Sequence, residues 1–197
     1  GVAADLTFAG LVSSGLNQFN LMVPQVAPGD QPLVAESGGV TSQANLFLCV
    51  GGASAALAIN HTTLTFNAST TGSAPPAQSL EVTSSGGPIA FRVASQTDSG
   101  GAWLTVDGGG QTPRALSVRV NTTGLAPGTY RGSITVDSCV NTAGPRVVTM
   151  TLTIAQTAPT LTSVSPNVVR RGENATLRLA GTNLASVIAV AFDPAAG

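Results

Sequence analysis

Lysine is absent from this chain of 197 residues, and its eight arginines stand against nine acidic residues for a net charge of −1. A surface so thinly charged has no basic footprint for a polyanion, which excludes nucleic acid and anionic lipid as partners. Histidine occurs once and cysteine twice, too few for the all-cysteine, mixed cysteine–histidine or triple-histidine sets that hold zinc. Apolar runs such as Val187 to Phe192 fall far short of the 18 or more residues of a membrane span, and no charged, apolar, small-residue leader opens the chain. The expectation is a soluble fragment with no membrane insertion. Charge is scarce, but hydrophobicity is not: 43% of residues are apolar and mean hydropathy is +0.30, which excludes disorder and leaves enough to bury a core.

Helix signals are also missing, because Gly, Pro, Thr, Ser and Val interrupt every window before a 3.6-residue stripe can run beyond about two turns. Alternation replaces them. Leu64–Phe66, Ser79–Thr83, Ile89–Val93, Leu116–Val120, Gly132–Val136 and Val147–Ile154 each set apolar and polar residues on opposite faces of a half-buried strand. Turn residues punctuate them at Ala74-Pro75-Pro76, Ser84 to Pro88, Asp107 to Gly110, Leu125 to Gly128 and Asn141 to Pro145. About seven strands fit between Leu57 and Ala155, which predicts one complete immunoglobulin-like β-sandwich, and the chain as a whole reads as all-β.

Small residues and a proline mark the joins on either side. The predicted organisation is 1–50 as a first flank, 51–56 as a linker, 57–155 as the sandwich, 156–158 as a second linker and 159–197 as a last flank. Both flanks read as β-structure, with strands expected at Asp5–Ala9, Gln18–Val23, Pro32–Glu36 and Ala44–Val50, then at Leu161–Ser165, Ala175–Ala180 and Ile188–Phe192. Each is short for a domain and leaves open strand edges.

The central segment resembles a BACON-type bacterial sandwich through Leu64-Thr65-Phe66, Ser73 to Leu80, Ala102-Trp103-Leu104-Thr105-Val106 and, most specifically, Gly124 to Val136. The last flank is similar to the opening of a TIG/IPT immunoglobulin-like domain through Pro159 to Asn167 and Leu179 to Leu184. The first flank resembles the closing half of such domains in acidobacterial-type secreted repeat proteins through Phe19 to Pro24, Ala27 to Asp30 and Gly38 to Ser42. The resemblance implies an extracellular or cell-surface module with no catalytic residues and no cofactor. A link to carbohydrate comes with the BACON name, without a residue motif.

Trp103 and Tyr130 are the candidate sugar-stacking residues, and each has a plainer reading. Trp103 stands in strand register with Leu104 and Val106 and reads as core. Tyr130 follows Pro127-Gly128-Thr129 and reads as a tyrosine whose hydroxyl folds back onto the preceding turn. His61 has no carboxylate or cysteine at triad or ligand spacing and reads as a surface residue. Asp98, Asp107 and Asp137 sit in or beside Gly- and Ser-rich loops but lack the alternating spacing of a calcium loop, so they read as turn formers. No catalytic residue and no metal ligand is therefore assigned. Sequons at Asn60, Asn67, Asn121 and Asn174 leave glycosylation open, whereas the Lys–Asn isopeptide staple of bacterial surface sandwiches needs a lysine this chain lacks.

Cys49 and Cys139 are expected to form a disulfide. In a seven-strand sandwich the loop joining the last two strands lies at the end where the chain comes in, and the seven residues Val50–Ala56 reach at most about 25 Å. The competing reading is two buried free thiols.

Written in the order 159–197 followed by 1–50, the flanks read through without a gap as one TIG-like domain of about 90 residues. They are therefore expected to be complementary halves. They would close within one chain, between the last flank of one copy and the first flank of the next, or along a longer repeat polypeptide. Termini at opposite poles of the sandwich favour the second arrangement, and head-to-tail pairing builds an open filament. The functional expectation is a structural, non-enzymatic module whose partners are copies of itself. The alternative is a carbohydrate-binding spacer, with a polysaccharide as partner.

Overall fold

The computed structural model describes residues 1–43, 46–52, 55–185 and 187–192. Among them there is no helix, and hence none long and apolar enough to cross a membrane. The strands in chain order are β1 (Asp5–Ser13), β2 (Leu16–Met22), β3 (Gly29–Pro32), β4 (Glu36–Ser37), β5 (Val40–Thr41), β6 (Phe47–Val50), β7 (Leu57–Ile59), β8 (Thr63–Ser69) and β9 (Gln78–Ser84). They continue as β10 (Ala90–Thr97), β11 (Leu104–Val106), β12 (Gly110–Gln111), β13 (Arg114–Val120), β14 (Gly128–Asp137), β15 (Arg146–Ala155), β16 (Thr160–Ser165) and β17 (Arg178–Thr182).

Two sheets face each other in the centre of the chain, giving the all-β sandwich expected. One has the order β10-β14-β15-β8 and the other β11-β13-β9-β7. Alternation explains how they meet. In β15, Val148, Met150, Leu152 and Ile154 are buried while Thr149, Thr151 and Thr153 point away from the core. The facing sheet contributes Leu80, Val82, Leu116 and Val118, all buried, and Phe66, Phe91 and Trp103 fill the space between layers. Burying a side chain of this size contributes about 1.5–3 kcal/mol, so this one cluster holds the domain together. β15 lies between β14, its antiparallel neighbour, and β8, which runs parallel to it from Thr149↔Thr63 to Ala155↔Ser69.

The structure departs from the sequence reading in several places. The region Leu57–Ala155 holds nine strands rather than about seven, because the short β7, β11 and β12 carry too few residues to show alternation. The boundary at residue 50 is crossed: β3 pairs with β6 antiparallel and joins β10 through Gly29↔Ala90, so part of the first flank extends the central sheet. Within the stretch read as a linker, Ala55 is buried and bridges Asn141, while residues 53 and 54 lie outside the described residues. The strand expected at Pro32–Glu36 is displaced, β3 ending at Pro32 and β4 beginning at Glu36. Residues 44 and 45 of the strand expected at Ala44–Val50 lie outside the described residues, and β6 begins at Phe47. Ala175–Ala180 becomes a strand only from Arg178. Ile188–Phe192 is irregular, since no strand among the described residues offers it a ladder; residues 193–197 are again outside the described residues.

Candidate functional site

The joint between first flank and sandwich is built around close backbone approach. Gly29 has φ 116°, and a Cβ there would collide with the Ala90 carbonyl, so only glycine lets β3 come alongside β10. Next to it Asp30, 6% exposed, accepts the Cys139 backbone N–H at 3.1 Å and lies 3.6 Å from Nε of Arg92. Ser138 donates its hydroxyl to the Ala90 carbonyl at 2.6 Å. Cys49, on β6, and Cys139, just after β14, are disulfide-bonded with Cα atoms 6.0 Å apart. The expected bridge is present, and it ties together residues 90 positions apart. The role of Asp30 at this joint carried no signal in the sequence, because its partners Arg92, on β10, and Cys139, after β14, are distant along the chain.

Trp103 is 2% exposed and donates its indole N–H to the Ser99 carbonyl at 2.9 Å, so its ring is core and offers no platform. Gly132 lies close against the neighbouring strand, where a Cβ would stand 2.6 Å from the Gln96 carbonyl oxygen and in ordinary contact with the Trp103 ring. Tyr130, half-buried, donates its hydroxyl to the Ala126 carbonyl at 2.9 Å, the fold-back expected of it. The structure does not bring these two aromatics together as an exposed pair. His61 is exposed. Asp107 and Asp137 act across strands rather than within their own turns: Asp107 accepts the Ser117 N–H at 2.9 Å and pairs with Arg119 at 3.4 Å, and Asp137 lies 3.7 Å from Arg92. No group of three or more His, Cys, Asp or Glu able to hold a metal occurs among the described residues.

The flanks present a different surface. β1 and β2 form a two-stranded hairpin, as do β16 and β17, and neither hairpin is hydrogen-bonded into another sheet. No described residue in 1–28 or 156–192 is buried. Every exposed large hydrophobic side chain among the described residues lies in one of the flanks, with the single exception of Val147. Phe8, Leu11, Phe19 and Met22 stand on the first hairpin. In the last flank, Leu161, Leu177, Leu179, Leu184, Val187 and Val190 line an apolar groove of about 440 Å³, and beside it Ile188 and Phe192 are 101% and 84% exposed. A two-stranded hairpin with nothing packed on its face is at best marginal in water.

The two flanks attach at opposite ends of the central domain. The chain comes in beside Asn141, whose side-chain carbonyl accepts the Leu57 N–H at 3.0 Å, and leaves from Ala155 at the far end of β15. Ten residues of strand put about 30 Å between the two.

Comparison with known proteins bears on the last flank. A family model described as quinohemoprotein amine dehydrogenase, alpha subunit domain III, matches residues 158–193, less than a fifth of the chain. No curated protein matches. Among solved structures, a Bacteroides ovatus GH5 xyloglucanase in complex with a XXXG heptasaccharide is 13% identical at a TM-score of 0.37, over 51% of this chain and 19% of that one. The periplasmic chaperone SfaE is 13% identical at a TM-score of 0.34, over 52% of this chain and 58% of that one. The chain thus spans a fifth of the first and somewhat over half of the second.

Proposed function

We propose that this chain is a non-catalytic structural module of an extracellular or cell-surface bacterial protein, assembling head to tail into a filament or stalk. In this reading the centre is a BACON-type domain. The last flank of one copy supplies the opening strands of a TIG/IPT-like domain, and the first flank of the next copy supplies its closing strands. The observation that carries the reading is the division of apolar residues: a sandwich that buries its own, between two flanks that bury none at their outer hairpins and expose nearly all the large ones. Exposed apolar surface on this scale marks an interaction site. Joining the halves would cover it and pair the open edges.

Attachment at opposite ends of β15 supports pairing between copies over closure within one chain. The Cys49–Cys139 disulfide supports an oxidising compartment. A polysaccharide partner loses its best candidate residue with Trp103 in the core. The test is electron microscopy and sedimentation of the purified full chain over a range of concentrations, with its mass under denaturing conditions. Filaments that dissociate to single chains in denaturant are expected. A monomer at every concentration, or saturable polysaccharide binding abolished by Trp103→Ala in a folded protein, overturns the reading.

A further inference from the structure

We infer that the Cys49–Cys139 disulfide makes the central sandwich a bypassed element under tension, so that pull along the chain runs through β15 alone. The inference rests on the reading that copies are joined through their flanks, which places any pull on residues 1–50 and 156–197. Covalently, tension arriving at Cys49 crosses the sulfur bridge to Cys139, only ten residues before the outgoing part of the chain reaches Thr149 in mid-β15. Residues 50–138, which form β7 to β14 and most of the core, lie in a closed covalent loop off this path.

What remains on the path has little length to give. β15 is already extended over Arg146–Ala155, about 30 Å of strand. Residues 139–155 fully drawn out reach less than about 60 Å, so pulling β15 free of β14 and β8 releases no more than about 30 Å. Without the bridge, the loop of 90 residues would lie in line and yield about 300 Å when the sandwich unfolds. The joint is reinforced where the pull arrives: Asp30 holds the Cys139 N–H, Ser138 holds the Ala90 carbonyl, and β3 pairs with both β6 and β10. The module then yields little length even where β15, with its four core side chains, is drawn out, because the rest of the sandwich is closed off covalently.

The experiment tethers the full chain by its two termini and records force against extension, oxidised and then after reduction with a phosphine. The oxidised chain should show no release above about 30 Å from the central domain. The reduced chain, and Cys49→Ser/Cys139→Ser, should extend about 300 Å further. If reduction unfolds the sandwich outright, the same excess appears as added contour length without a rupture step. An oxidised trace as long as the reduced one overturns the inference, as does an oxidised trace with a large rupture from the sandwich. Filaments in the microscope together with indistinguishable traces sink the bypass alone; distinct traces from a chain that never assembles sink the assembly alone.

Discussion

Ile188→Asp/Phe192→Asp isolates assembly from folding. Both side chains stand almost fully in solvent, at 101% and 84% exposure, and neither belongs to a strand or to the central core. In a single copy their replacement removes little packing, and surface changes of this kind stay within about 0.5 kcal/mol. If the next copy covers them, each contributes about 1.5–3 kcal/mol of burial, and the pair about 3–6 kcal/mol. At about 1.4 kcal/mol per tenfold, the double variant should need roughly a hundred- to ten-thousand-fold higher concentration to assemble. Carboxylates that must be desolvated push it further in the same direction. Sedimentation velocity across a dilution series reads the assembly, and thermal unfolding followed by Trp103 fluorescence reads the fold. Val147→Asp is the matched control, since Val147 is the exposed large hydrophobic outside the flanks and should leave assembly unchanged. Unaltered assembly of the double variant, or an equal loss with Val147→Asp, would refute the reasoning.

Cys49→Ser/Cys139→Ser opens a loop of 90 residues, which in the chain-entropy picture costs about 4–5 kcal/mol and should lower the calorimetric Tm by about 10–20 °C. Trp103→Ala empties the largest buried site and is expected to cost about 3–5 kcal/mol in urea unfolding; a loss under about 1 kcal/mol would contradict its place in the core. Tyr130→Phe removes only the hydroxyl that reaches the Ala126 carbonyl, with an expected loss of about 1 kcal/mol in the same assay. Gly29→Ala forces a Cβ against the Ala90 carbonyl, so the β3 joint should loosen, seen as faster amide exchange of β3 and β6 while β14 and β15 stay protected.

Much of the sandwich was legible because the signals are local. The period of two in Val147–Ile154 dictates which side chains face inward whatever the partner strand, and β15 shows that division residue by residue. Trp103 and Tyr130 were readable from their neighbours, and Cys49 and Cys139 from the short tether between one of them and the sandwich.

Partners were another matter, because periodicity says which face is buried and nothing about which strand lies alongside. Pro32–Glu36 and Ile188–Phe192 have the composition of strands, yet a strand needs a neighbour, and the second has none among the described residues. By itself the sequence determined an all-β chain with one self-sufficient core, two unsatisfied apolar flanks and a cysteine pair within reach of each other. Only the tertiary structure decided that β3 lies along β10, that Ala55 is core rather than tether, and that Asp30 secures the Cys139 loop. Each of those contacts joins residues far apart along the chain, where the packing of the whole domain, not local propensity, selects the pairing.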